Sequence, residues 1–143
     1  MSDHPSHDAY RAHAAMQKLV LHQRDIRRSV EDATGVSFGR ARALRRLVRG
    51  PLRMSELAAR LGWDKPYTTN VVDDLEERGL VTRSVAPDDR RAKMVELTAE
   101  GHAAAVTAIR ILAEPAPGLS RLSDEELAVV AELLEKASAE SEC

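Results

Sequence analysis

The sequence predicts a mainly α-helical fold that carries one small β-hairpin, and three observations support this. Aromatic residues make up only 3% of the 143 residues. The core must therefore come from Leu, Val, Ile and Ala, which favours packed helices over a sheet sandwich. Apolar residues recur at steps of three and four through most of the chain, which is the period of a helix face. Between residues 80 and 97 the pattern changes to short alternating runs around a polar turn, which is typical of a hairpin.

Composition narrows the classes of protein to which the chain could belong. It has 43% hydrophobic and 31% charged residues, which suits one compact domain. No apolar run approaches about 18 residues, and residues 1–8 lack an apolar signal core, so we expect a cytoplasmic protein without a membrane span. The single cysteine, Cys143, excludes a disulfide framework.

The formal net charge of −2 conceals an uneven distribution. Residues 36–93 contain 13 Lys and Arg against 8 Asp and Glu, whereas residues 120–143 contain two basic and seven acidic residues. A basic middle followed by an acidic C-terminal end indicates a nucleic-acid partner for the middle of the chain.

The first predicted helix covers residues 9–33. A helix of this length runs about 37 Å, which is more than a domain this small can cover. We therefore expect part of its apolar seam to meet a second subunit; a long intramolecular helix is the alternative. The seam consists of Ala9, Ala12, Met16, Leu19, Gln23, Ile26, Val30 and Ala33, of which only Gln23 is polar.

Three shorter helices are predicted next. Ser37 caps a helix over residues 38–49, which Gly50 and Pro51 stop. A second helix covers residues 55–61 and ends before Gly62. Asp64 caps the third, which runs to about Gly79 and carries Pro66 in its first turn. The predicted buried stripe of this third helix is Tyr67, Val71, Val72 and Leu75.

The tight turn Leu61–Asp64 between two short helices indicates a helix-turn-helix, and the hairpin after it would be a wing. The hairpin has strands over 80–85 and 92–97 and a turn over 86–91. Thr98 caps a helix that runs to Ala113. Ser123 and Glu126 form a capping box for the last helix, whose apolar seam is Leu127, Val130, Leu134 and Ala137.

The predicted fold is thus a winged helix-turn-helix with N- and C-terminal dimerisation helices. We expect one intertwined domain in three segments. Residues 1–36 and 101–143 would supply dimerisation helices, and residues 37–100 the DNA-binding lobe.

Three stretches carry a resemblance to a known family. They are residues 54–62 (MSELAARLG), residues 71–81 (VVDDLEERGLV) and, most specifically, residues 87–101 (PDDRRAKMVELTAEG). They resemble the helix-turn-helix and wing of the MarR family of bacterial transcriptional regulators, over about residues 37–101. The chain departs from that family's pattern at Asn70, where an arginine is frequent, and at Asp74, where a basic residue is common.

The resemblance implies a homodimer with interlocking terminal helices, a double-stranded DNA operator of two inverted half-sites, and release of DNA by a small aromatic or phenolic anion. No catalytic motif, cofactor motif or metal-ligand spacing occurs in the sequence, so we expect neither an enzyme nor a metal protein. The function predicted is a sequence-specific repressor. The alternative is a winged-helix module that binds protein partners and not DNA, which the acidic run Asp73, Asp74, Glu76 and Glu77 favours.

Candidate DNA contacts lie on the recognition helix and the wing. Asn70 can bond adenine bidentately, threonine can touch a thymine methyl group, and Lys65 is placed for a phosphate. The resemblance assigns insertion into the minor groove to Arg90, with Asp88 orienting Arg90 or a neighbouring arginine. The full set is Ser55, Lys65, Pro66, Thr68, Thr69, Asn70, Arg83, Asp88, Arg90, Arg91 and Lys93.

A ligand pocket is expected between the first predicted helix and the second and fifth. Its predicted lining is His13, Met16, Gln17 and Arg45, since His and Arg could pair with a carboxylate against an apolar floor. A stripe of arginines without a nearby acid has four interpretations: contact with phosphates, balance of an acidic dimer surface, an anion pocket, or an ordinary solvated helix face. The stripe is Arg42, Arg45, Arg46 and Arg49.

Overall fold

The computed structural model describes residues 4–22 and 25–139. The chain divides into two compact units. One comprises Met1–Asp25 with Pro115–Cys143, and the other comprises Ile26–Glu114. The second unit extends beyond both ends of the lobe predicted for residues 37–100. The assignment of the terminal segments to dimerisation stays a prediction. Within the described residues, no helix is both long and apolar enough to cross a membrane.

The first unit contains two α-helices with exposed apolar side chains. Helix α1 (His7–Gln17) continues into a π-helical segment, Lys18–His22. After a 3₁₀ segment, Pro117–Arg121, helix α7 (Asp124–Ser138) begins at the predicted capping box of Ser123 and Glu126, which is confirmed. Neither α1 nor α7 has a buried residue in the single chain. Large exposed apolar residues of this unit are Tyr10, Met16, Val20, Leu21, Val129, Leu133 and Leu134.

The helix predicted over residues 9–33 is divided, and its two parts belong to different units. Helix α1 ends at Gln17, and a separate helix, α2 (Ile26–Thr34), opens the second unit. The predicted seam residue Gln23 lies outside the described residues. Val30 is fully buried within the single chain. At this position the seam therefore packs inside the chain, as the alternative interpretation held.

The second unit contains five helices and a small three-stranded antiparallel sheet. After α2 come α3 (Phe38–Arg46), β1 (Leu52–Arg53), α4 (Met54–Leu61) and α5 (Lys65–Glu77). They are followed by β2 (Val81–Ala86), β3 (Asp89–Leu97) and α6 (Ala99–Ala113). The strand order is β1-β3-β2. The side chains of Ser37, Asp64 and Thr98 accept backbone hydrogen bonds at the three predicted caps, which are confirmed.

Two predicted boundaries need correction in this unit, and one strand was not predicted. Helix α3 ends at Arg46 and not at 49, because the chain turns over residues 47–49 before Gly50, whose φ is +144°. The turn of the hairpin is only Pro87–Asp88, so Arg90 and Arg91 belong to β3 and not to a loop. Strand β1 was not predicted, because two residues show no alternating pattern.

The buried stripe of α5 is shifted by one residue from the prediction. Thr68, not Tyr67, lies in the core with Val71, Val72 and Leu75. These four positions follow the steps of three and four that place side chains on one helix face. Tyr67 is 47% exposed, and its ring packs against that of Trp63 in a T-shaped arrangement, with ring centroids 4.9 Å apart.

The start of α6 packs directly against the chain segment that precedes β2. The Thr98 backbone N–H donates to the Leu80 carbonyl at 3.0 Å, and the Thr98 hydroxyl donates to the Gly79 carbonyl at 2.6 Å. A Cβ atom on Gly101 would lie 1.8 Å from the Leu80 oxygen. Only glycine at position 101 allows this approach.

We therefore expect Gly101→Ala to lower the free energy of unfolding by about 1–3 kcal/mol, because α6 must move away from Leu80. The matched control is Gly39→Ala in α3, where the nearest atom to the new Cβ is the Tyr67 hydroxyl oxygen at 3.8 Å. In this control the free energy of unfolding should rise by about 0.5–1 kcal/mol, because alanine has less backbone entropy than glycine to lose on folding. Urea unfolding of both variants measures the difference, and an equal gain at both positions would contradict the packing described.

Candidate nucleic-acid interface

Helices α4 and α5 and the β2–β3 hairpin line an open groove of about 720 Å³. Its apolar lining comes from Met54, Ala58, Ala59, Trp63 and Ala92. Its polar and charged lining comes from Arg53, Ser55, Lys65, Thr68, Thr69, Arg83, Asp89, Arg91 and Lys93. Five cations against one carboxylate make the groove a positively charged surface.

The N-terminal half of α5 presents most of the predicted base-reading residues. Lys65 and Thr69 line the groove, and Pro66 and Asn70 are exposed on the same half of the helix. Thr68 differs, since it is 1% exposed and its hydroxyl donates to the Asp64 carbonyl at 2.7 Å. This burial argues against a DNA contact by Thr68. Ser55, in the first turn of α4, is exposed at the groove.

A bulge near the tip of the wing carries its arginines. Val85 pairs with Lys93, and the next β2 residue, Ala86, pairs with Asp89. Residues 90–92 therefore have no partner on β2. Arg91 lines the groove, whereas Arg90 is exposed and its side chain forms no hydrogen bond or ion pair with the described residues. Both guanidinium groups are available to an anionic partner.

Of the two expectations for Asp88, that it orients Arg90 or a neighbouring arginine, the first is wrong, because Asp88 binds Arg53. Both of its carboxylate oxygens accept from Nη2 of Arg53, at 2.5 Å. The hydrogen bond from Arg53 lowers the pKa of Asp88 from its ordinary value. Arg53 was not among the predicted site residues, because its partner is 35 residues away and its strand has only two residues.

Arg83, a predicted DNA contact, is held by two carboxylates of α5. Its Nη2 lies 2.6 Å from Oδ1 of Asp73 and 3.1 Å from Oε1 of Glu76. The backbone N–H of Arg83 also donates to Glu76 at 3.1 Å. The hydrogen bond from Arg83 lowers the pKa of Glu76, and the same contact raises the pKa of Arg83. Arg83 therefore joins the base of the wing to α5, besides lining the groove.

Asp74 is neutralised by arginines on either side. Its Oδ2 accepts from Nε of Arg40 at 2.6 Å and from Nε of Arg78 at 2.8 Å. The hydrogen bond from Arg40, followed by that from Arg78, lowers the pKa of Asp74. Of the acidic run on α5, only Glu77 has no ion pair among the described residues. The run is thus largely compensated within the lobe.

The predicted ligand residues are divided between the two units. His13, Met16 and Gln17 lie on α1, and Arg45 lies on α3. Burial, followed by the charges of Arg46 and Arg42, lowers the pKa of Arg45. Within the described part of the chain, no acidic residue pairs with the arginine stripe, whose last member, Arg49, lies beyond the end of α3. Over the same described residues, no group of three or more metal-ligand side chains occurs.

A helix-turn-helix followed by a hairpin, with a cationic groove between them, defines the class of winged helix-turn-helix DNA-binding proteins. Comparison with known proteins agrees. The sequence profile of the MarR family matches residues 34–92. A proposed transcriptional regulatory protein for the hcr operon of Thauera aromatica is 30% identical over 115 residues, covering 79% of this chain and 69% of the relative.

Solved structures show the same fold over nearly the whole chain. YusO from Bacillus subtilis is 27% identical, with a TM-score of 0.70 and coverage of 94% of this chain and 98% of YusO. NadR in complex with 4-hydroxyphenylacetate is 25% identical, with a TM-score of 0.61 and coverage of 98% of each chain. The chain belongs to the MarR family of transcriptional regulators, and it is a DNA-binding regulator with a winged helix-turn-helix fold.

The ion pairs of Asp74 generate a prediction on stability. Asp74→Asn should lower the free energy of unfolding at pH 7 by about 1 kcal/mol at most, since the pair is part-exposed. Because the folded pKa is depressed, this stability is present above the unfolded pKa of about 3.9 and is lost as the pH falls through the folded value. Urea unfolding between pH 7 and pH 2 should show the two proteins converging in acid.

The control is Glu77→Gln, which removes a charge from the same helix without removing an ion pair. It should leave the stability within about 0.5 kcal/mol of the wild type. A deficit of Asp74→Asn that stays constant down to pH 2 would mean that the ion pairs are not its cause.

The wing arginines generate a second prediction. Arg90→Ala should weaken DNA binding. It should also reduce the magnitude of the negative slope of log K against log salt concentration, by about one unit for each arginine removed and so by about two if two chains bind. Arg91→Ala should have a smaller effect if Arg90 is the residue that enters the minor groove, as the family resemblance implies. Salt titrations on one DNA fragment measure both slopes. A larger loss for Arg91→Ala would show that Arg91 makes the principal contact.

Proposed function

We propose that this protein is a homodimeric cytoplasmic repressor that binds an inverted-repeat operator and leaves it on binding a small aromatic or phenolic anion. The observation that carries the proposal is the cationic groove between α5 and the wing. Among the described residues, the groove cations Lys65, Arg91 and Lys93 form no ion pair, while Asp73, Asp74 and Glu76 of α5 are paired with arginines of the lobe. A surface with this charge separation fits the phosphate backbone of DNA.

Sequence reading is assigned to the exposed N-terminal half of α5. Asn70 presents a donor and an acceptor that match adenine in the major groove, and Thr69 offers a methyl group for thymine. Lys65 contributes a phosphate contact, which fixes position without reading a base. Arg90 extends from the wing toward the adjacent minor groove.

Dimerisation is assigned to the terminal helices α1 and α7. Their apolar side chains are exposed in the single chain, and Leu133 is 59% exposed. Burying such residues against a second copy contributes favourable free energy in proportion to the apolar area. Two copies would also place two recognition helices on one DNA face, as an inverted repeat requires.

Support for an aromatic anion comes from a relative and from this chain's own residues. NadR is described in complex with 4-hydroxyphenylacetate, a phenolic carboxylate. Here Arg45 on α3 supplies a cation of the kind that binds such a carboxylate.

The competing function, a protein-interaction module without DNA binding, loses its main support. It depended on an acidic surface at the end of α5. Asp73, Asp74 and Glu76 instead form ion pairs with arginines of the same lobe.

Selection of genomic DNA fragments by the purified protein tests the proposal. Wild type should enrich inverted repeats, and sedimentation should give two chains per repeat. Asn70→Ala should lose about 1–3 kcal/mol on the preferred sequence and relax one position per half-site, whereas the control Lys65→Ala should weaken all sequences alike. An aromatic carboxylate from a panel should release the DNA and raise transcription from a reporter. Failure to enrich any sequence would contradict the proposal.

A further inference from the structure

The contact between Arg53 and Asp88 joins two distant parts of the lobe at the groove. Arg53 ends β1 and directly precedes α4, and its backbone N–H donates to Glu56 of that helix at 3.1 Å. Asp88 lies in the two-residue turn at the tip of the wing. The tip of the hairpin is therefore tied to the start of the helix-turn-helix.

We infer that Arg53 and Asp88 form a clamp that sets the position of the wing tip, so that Arg90 and Arg91 are presented to DNA in a fixed place. This inference rests on the proposed DNA-binding function. It assigns positioning roles to Arg53 and Asp88 and leaves direct DNA contact to the arginines of the bulge.

The local geometry explains why the wing needs such a clamp. Residues 90–92 have no partner on β2, so the hairpin ladder does not fix the arginines next to its tip. Strand β1 pairs with β3 only at residues 52 and 53, opposite 95 and 94. The side-chain contact of Arg53 with Asp88 reaches past the end of that pairing and holds the turn.

The energetic role of the clamp is to restrict geometry and not to stabilise the fold. The side chains of Arg53 and Asp88 are 32% and 69% exposed. Ion pairs this exposed contribute little to folding stability. Holding a binding element in its bound position nevertheless increases affinity, because less ordering is needed on association.

Asp88→Asn gives a test in which two explanations predict opposite changes in DNA affinity. The substitution removes a negative charge near the DNA and frees Arg53 to contact a phosphate, so electrostatics alone predicts tighter binding. Loss of the clamp predicts weaker binding. The charge-matched control is Glu77→Gln, which removes an exposed carboxylate of α5 that has no ion pair among the described residues.

Two measurements are made on wild type, Asp88→Asn, Asp88→Glu and Glu77→Gln. Hydrogen exchange of the backbone amides over residues 88–92 in the DNA-free protein reports on the wing itself. Affinity for a DNA fragment selected by the wild type reports on binding. We expect faster exchange and up to about fivefold weaker binding per wing for Asp88→Asn, with partial recovery in Asp88→Glu. Glu77→Gln should keep wild-type exchange and bind equally or more tightly.

Unchanged exchange in Asp88→Asn, or tighter binding comparable to Glu77→Gln, would overturn the clamp. Faster exchange with unaltered affinity would overturn its positioning role. If the wild type binds no double-stranded DNA, the proposed function fails, whereas the exchange rates still decide whether Arg53 and Asp88 hold the wing.

Discussion

Pairing of arginines with the carboxylates of α5 is the interaction on which the DNA-binding surface depends. The recognition helix carries four acidic residues in its C-terminal half, and uncompensated they would repel DNA. Arg40, Arg78 and Arg83 bind three of them from α3, from the end of α5 and from β2. The same contacts orient the helix against its neighbours. The same ion pairs therefore both neutralise the acidic residues of α5 and hold α5 against its neighbours.

The wing is attached to this arrangement at three places along its length. At its base, Thr98 and Gly101 bring α6 against the backbone of residues 79 and 80. In its first strand, Arg83 reaches back to α5. At its tip, Asp88 binds Arg53. Each attachment uses a different element of the lobe, namely α6, α5 and the junction of β1 with α4.

Local sequence signals predicted the order of elements well, and long-range contacts account for the errors. The caps at Ser37, Asp64 and Ser123 were predicted correctly, because capping depends on residues three positions apart. The division of the 9–33 helix was not predicted, since the apolar period continues through it. Tyr67 was predicted in the buried stripe where the structure has Thr68, because only tertiary packing decides between adjacent positions. Of the candidate DNA contacts, the recognition helix and wing were predicted, but the partner of Asp88 was not, because it lies 35 residues away.

The central claim is that the groove between α5 and the wing, and not the acidic end of α5, faces DNA. Hydrogen exchange of the whole chain with and without bound DNA tests it most directly. We expect slower exchange on binding over residues 65–70 and 88–93, with little change over residues 73–78. Slower exchange confined to residues 73–78 or to α7, with residues 65–70 and 88–93 unaffected, would contradict it.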